Sequence, residues 1–102
     1  MTVKTKVSKD NKEVSISVLE RFDFAQHQCF RKAYSQYSQN GTKFIVDLSK
    51  TEYIDSSALG MILLLKDYAE HIDGTLTITK PSKAVSKILE IAQFHRLMTI
   101  VQ

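Results

Sequence analysis

The residues of this chain that could do chemistry are few. They are His27, His71 and His95, the lone Cys29, the carboxylates Asp23 and Asp47, and the serine pair Ser56 and Ser57 directly behind Asp55. Histidines can hold a metal ion or move a proton, but these lie far apart, and none stands in a His-Glu-x-x-His spacing or pairs with the cysteine. They read as surface or half-buried side chains, and no metal is expected. One cysteine makes neither an internal disulfide nor a multi-cysteine zinc site. Cys29 falls on the apolar stripe of a helix and reads as a small buried thiol, not a nucleophile. Asp23 and Asp47 would suit an acid–base pair. Asp23, however, follows a strand, where a helix cap and a functional role both fit it, and Asp47 reads as a loop-end hydrogen-bond acceptor. Ser56 is not in a Gly-x-Ser-x-Gly elbow, and neither standard phosphate-cradling glycine loop is present. No base stands beside the serine in sequence, so neither an enzyme nor a cofactor is expected.

One segment still stands out: Tyr53-Ile54-Asp55-Ser56-Ser57-Ala58-Leu59-Gly60. It leaves one apolar run and enters another at a turn rich in small polar side chains. Asp and Ser are favoured helix N-caps, because their side-chain oxygens accept otherwise unpaired amides. Open α/β sheets also place their functional surfaces where strand carboxyl ends meet helix amino ends. Both readings fit these residues.

The elements that would position this turn follow from hydrophobic period. Val3 and Val7, then Val14, Ile16 and Val18, alternate with polar residues across Asp10-Asn11. This predicts a β-hairpin with strands over about 2–8 and 13–20. Residues 20–24 form a junction. Ala25, Cys29, Ala33 and Tyr37, flanked by Phe30 and Tyr34, predict an amphipathic helix over about 25–38, ended by Asn40-Gly41. Residues 43–48 are nearly all apolar and predict a central strand covered on both faces. A loop over 49–54 leads to a helix over about 57–71, stopped by Asp73-Gly74. Its first two turns are apolar nearly all round, which predicts deep packing. Residues 75–79 alternate again as a strand. Pro81 and Ser82 open a helix with the stripe Val85, Ile88, Leu89 and Ala92, and Thr99-Ile100-Val101 predicts a last edge strand. The order ββαβαβαβ implies one α/β domain, spanning residues 1–102, with a mixed sheet of about four to five strands.

Composition agrees with a single folded unit. The chain has 102 residues, 43% hydrophobic and 25% charged, which is enough apolar surface to argue against disorder. No apolar run reaches the roughly 18 residues of a membrane span, and the first residues carry charge without an apolar core of a leader. The cytoplasm is the expected location. Net charge is +3, with Lys4, Lys6, Lys9 and Lys12 near the start interrupted by Asp10 and Glu13. Lysines solvated along a strand edge account for this pattern better than nucleic-acid binding does.

The string VDLSKTEYIDSSALGMILLLKDY resembles the signature of STAS domains, in particular the stand-alone bacterial anti-sigma factor antagonists. Asp55, Ser56, Ser57, Leu59 and Gly60 match the family's D-S-[ST]-G-L-G loop, and the resemblance covers the order of elements along almost the whole chain. The flavour of RFDFAQHQ is similar to small antagonists in partner-switching systems of gammaproteobacteria. The chain departs from the family at Ala58, where many members have Gly. It also departs at Glu20-Arg21, where a Gly is common before the acidic junction residue, and in lacking the family's usual last helix. The resemblance implies phosphorylation at Ser56, support from Ser57, and an acidic residue near the serine at Asp23. Phe22, Phe24, Tyr53 and Asp55 would join these in a partner-binding patch. It implies an anti-sigma factor or serine kinase as partner and a serine phosphatase to reset the switch. Neither nucleic acid nor membrane would be a partner, and the domain would be a monomer. The alternative is a STAS-type module binding a nucleotide or a lipid, against which the missing phosphate loop counts.

Overall fold

Alternating valines and isoleucines build the N-terminal hairpin, in a computed structural model that describes residues 2–102. Strand β1 (Val3–Val7) pairs antiparallel with β2 (Glu13–Val18). The turn is held by Asp10, whose carboxylate accepts from the Ser8 hydroxyl at 2.6 Å and the Lys12 amide at 3.1 Å. These bonds hold the Asp10 carboxyl below its usual range. Asn11 takes the left-handed conformation, φ 59°, which its short polar side chain tolerates.

The hairpin starts a five-stranded mixed sheet in the order β1-β2-β4-β6-β7. Strands β4 (Lys43–Asp47), β6 (Thr75–Thr79) and β7 (Thr99–Val101) join β2 in parallel. Helix α1 (His27–Ser35) follows the hairpin, α2 (Ser56–His71) precedes β6, and α3 (Lys83–Ile91) follows it. One sheet face, with Val14, Ile16, Val18, Phe44, Val46 and Ile78 all at 0% exposure, meets the buried side chains of the three helices in one core. Each such side chain contributes about 1.5–3 kcal/mol by burial.

Three expectations need correction. The central strand β4 is covered on one face only. Phe44 and Val46 are buried, but Ile45 and Asp47 are half-buried on a side shared with Lys4, Lys6, Ser15, Ser17, Thr77 and Thr79. All three helices pack on the opposite face, so polar β-formers suit the open one. Residues 49–54 are not wholly a loop: β5 (Thr51–Ile54) pairs in parallel with β3 (Glu20–Phe22), part of the predicted junction, in a separate two-stranded sheet. Cys29 is exposed rather than buried. A 3-10 turn over Phe24–Gln26 precedes α1, and the core side of the helix is set by Gln26, Phe30, Ala33 and Tyr34. That stripe rotates Cys29 to solvent.

The end of α2 shows how tightly the layers meet. The Gly74 amide donates to the Ala69 carbonyl at 2.7 Å, and Thr75 donates to the carbonyl of Thr42 at 3.1 Å. A Cβ on Gly74 would lie 2.2 Å from that Thr42 oxygen, so backbone would have to move. Gly74→Ala is expected to destabilise the fold by about 2 kcal/mol or more. A fall in the urea midpoint at unchanged slope would record it, and an unchanged midpoint would refute this account of the glycine.

Candidate functional site

The site is built by the small β3–β5 sheet. Phe22 and Ile54 are paired residues at the ends of the two parallel strands, and both are buried. The next residue on each strand is an aspartate, and each aspartate caps a helix start. The Asp23 carboxylate accepts from the Ala25 amide at 2.9 Å, while the Gln26 side chain accepts from the Asp23 amide at 2.7 Å, closing a capping box. The Asp55 carboxylate accepts from the Ala58 amide at 3.0 Å. The two ribbons stay joined beyond the strands, since the Asp55 amide donates to the Phe22 carbonyl at 3.4 Å. Arg21 ties the pair together: its Nε lies 3.3 Å from Asp23 Oδ2 and its guanidinium carbon 4.3 Å from the Tyr53 ring centre.

Capping by Asp55 leaves the serines with no structural task. Ser56 is the first residue of α2 and is exposed; Ser57 is half-buried. Neither hydroxyl has a hydrogen-bond partner among the described residues. Ser56 therefore presents a free hydroxyl where helix amides and the helix dipole favour negative charge.

The family model described as "Mlab, STAS domain" matches residues 5–101. This chain belongs to the STAS domain family. A STAS-domain containing protein of Pseudomonas aeruginosa (strain UCBPP-PA14) is 40% identical over 100 residues, covering 98% of this chain and 99% of that one. The structure of the anti-sigma factor antagonist SpoIIAA in its unphosphorylated form matches with a TM-score of 0.82 at 19% identity, over 98% of this chain and 88% of that one. An anti-sigma-factor antagonist (STAS) domain protein from Planctomyces limnophilus matches with a TM-score of 0.79 at 14% identity, over 98% and 89% of the two chains. These two likenesses are of fold: the mixed sheet with its helices is the STAS fold.

Within this STAS domain the expected patch is only partly at the surface. Phe24 is 68% exposed and stacks on His27, with ring centres 5.3 Å apart. Tyr53 is 43% exposed, and Asp23 and Asp55 are half-buried caps. Phe22 is a correction: it is fully buried against Phe30, with ring centres 4.9 Å apart, so it supports the site from the core. Asp47 accepts from the Ser49 amide at 2.9 Å, as a loop-end acceptor would. His27 and His71 line one cleft between α1 and α2, while His95 lies in the 3-10 turn after α3. No group of three His, Cys, Asp or Glu side chains that could hold a metal ion occurs among the described residues. No helix among them is long and apolar enough to cross a membrane.

A feature missed in the sequence is the outer face of α2, where deep packing was expected. Ser56, Gly60, Leu63, Leu64 and Asp67 are all exposed and recur at helical spacing. Leu63 is 40% and Leu64 58% exposed. A helix lying on one side of a sheet buries one stripe, here Ala58, Met61, Ile62, Leu65 and Ala69. Its remaining leucines must face out. Gly60, a glycine inside a helical run, was the available signal; in the structure a Cβ there would meet nothing within 4 Å, so the fold does not need the glycine.

The division of roles between Asp55 and Ser56 has a direct thermodynamic signature. Asp55→Ala should lower stability by about 1 kcal/mol through loss of the cap. Ser56→Ala should stay within about 0.5 kcal/mol of the parent. Chemical denaturation of both variants separates the two; a larger loss at Ser56 would make the serine the structural residue.

Proposed function

We propose that this STAS domain is an anti-sigma factor antagonist whose hold on its partner is set by phosphorylation of Ser56. The observation that carries the reading is the free, exposed Ser56 hydroxyl in the first turn of α2, spared from capping by Asp55. The match of the Asp55-Ser56-Ser57 loop to the antagonists' signature supports it. The partner is an anti-sigma factor or a serine kinase, and a serine phosphatase reverses the modification. The domain is then a substrate of enzymes and not an enzyme. It acts as a monomer in the cytoplasm on sigma-dependent transcription.

The physics of the switch is local. A phosphoryl group adds about −1.5 to −2 charges at neutral pH. At the start of α2 the free amides and the dipole tolerate that charge, so the fold survives. A docked partner does not tolerate it, because a dianion must be desolvated in the contact and is repelled by carboxylates there. A penalty of about 3–4 kcal/mol weakens binding several hundred-fold. The contact surface runs from Ser56 along Gly60, Leu63 and Leu64 of α2, with Phe24 and Tyr53 exposed on the adjoining elements. Gly60 lets a partner approach the helix backbone closely, which accounts for a residue costing about 1 kcal/mol against alanine in a helix interior.

Two baits test the switch: Ser56→Ala and Ser56→Asp, each used to capture proteins from native-source lysate with mass-spectrometric readout. The alanine bait is expected to retain an anti-sigma or kinase-like protein that the aspartate bait loses. Equal retention by both would sink the proposal. The surface has its own test. Gly60→Ala should raise stability by about 0.5–1 kcal/mol, and Gly60→Arg should keep the fold but release the captured partner. Undiminished capture by Gly60→Arg would move the contact off this face of α2.

A further inference from the structure

The cleft between α1 and α2 shares only Leu64 with the proposed contact surface, and it has the features of a ligand site. Its volume is about 540 Å3, within the range of small-molecule pockets. Buried Phe30, Tyr34 and Met61 floor it, half-buried Tyr68 and Ile72 form its apolar sides, and Leu64, 58% exposed, makes an apolar lip. The mouth carries His27 and Arg31 from α1, and Asp67 and His71 from α2.

Arg31 and Tyr34 each bring an unclaimed donor to the cleft. The Arg31 guanidinium has no ion pair or hydrogen bond among the described residues. Tyr34 is only 6% exposed, but its hydroxyl is not sealed from solvent and donates to no protein acceptor among them. Its neighbour Tyr68 shows the contrast, since that hydroxyl donates to the carbonyls of Ser35 and Tyr37 at 3.2 and 3.1 Å. Burial pushes the Tyr34 phenol up from its ordinary value, against the nearby charge of Arg31, so the phenol remains a proton donor at neutral pH. A guanidinium is always a donor. Asp67 is the one carboxylate at the mouth and opposes an anion there, but it faces one fixed cation and two imidazoles that can each donate.

We propose that this cleft binds a free amphipathic carboxylate, its hydrocarbon chain against Leu64, Tyr68 and Ile72 and its head group on Arg31 and the Tyr34 hydroxyl. The apolar sides supply affinity by burial, and the two donors select a planar anion.

Calorimetric titration of the full chain with decanoate, kept below micelle-forming concentration, is expected to saturate at one equivalent. Decanol should bind about tenfold more weakly, and decyltrimethylammonium more weakly still. Arg31→Gln, at an exposed position, should weaken decanoate about tenfold and leave decanol unchanged. Leu64→Gln should weaken both. Ser56→Ala should alter neither, so failure here is distinguishable from failure of the switch. Absence of saturation overturns the proposal, as does equal affinity for the ammonium probe or unchanged decanoate binding by Arg31→Gln. Binding seen only with anionic phospholipid vesicles, or only with an amphipathic peptide, also overturns it.

Discussion

The parallel pairing of β3 with β5 is the constraint on which the site depends. Both strands are short, and a lone two-stranded ribbon is marginal in water. Here it is anchored at each end. Phe22 and Ile54 are sunk into the core, and the buried Thr51 hydroxyl donates to the Val18 carbonyl at 2.5 Å. The Glu20 amide, on a residue held at φ 65°, donates to Lys50 at 2.8 Å. A register shift between Glu20 and Arg21 absorbs the difference in length, so the two strands end together at Phe22 and Ile54. Each then passes into an aspartate, and each aspartate begins a helix, so one backbone register aligns two helix starts.

That arrangement divides the polar work. A helix start leaves amides that need acceptors, and the side-chain oxygens of Asp23 and Asp55 supply them. Such caps carry charge that the helix dipole favours. The serine after Asp55 is thereby released from any duty to the fold. A hydroxyl that the fold does not need can change charge state without unfolding the domain, and this is the physical requirement of a modification switch.

The one-sided sheet explains the remaining surface. With every helix on the same face, α2 has neighbours along one stripe only, and its strongly apolar first half leaves leucines outside. Leu64 serves two surfaces at once, the outer stripe of α2 and the lip of the α1–α2 cleft. The opposite sheet face stays polar, with Ser15, Ser17, Thr77 and Thr79 among its residues.

Hydrophobic pattern read together with turn and cap residues determined the hairpin, the strands β4 and β6 and the three helices, because each is long enough to carry its pattern within itself. Ser82 was legible as the cap of α3, and its hydroxyl accepts from the Val85 amide at 3.3 Å. The Asp55-Ser56-Ser57 turn was legible as a candidate site, but which residue capped the helix was not, since aspartate and serine serve equally well in sequence. Tertiary structure decided that question, and it decided the β3–β5 pair, whose three and four residues are too few to show a period. It also decided what lies buried: Phe22 in, Cys29 and Leu64 out. Burial is set by which side of an element meets a neighbour, and that neighbour is supplied by residues distant in the chain.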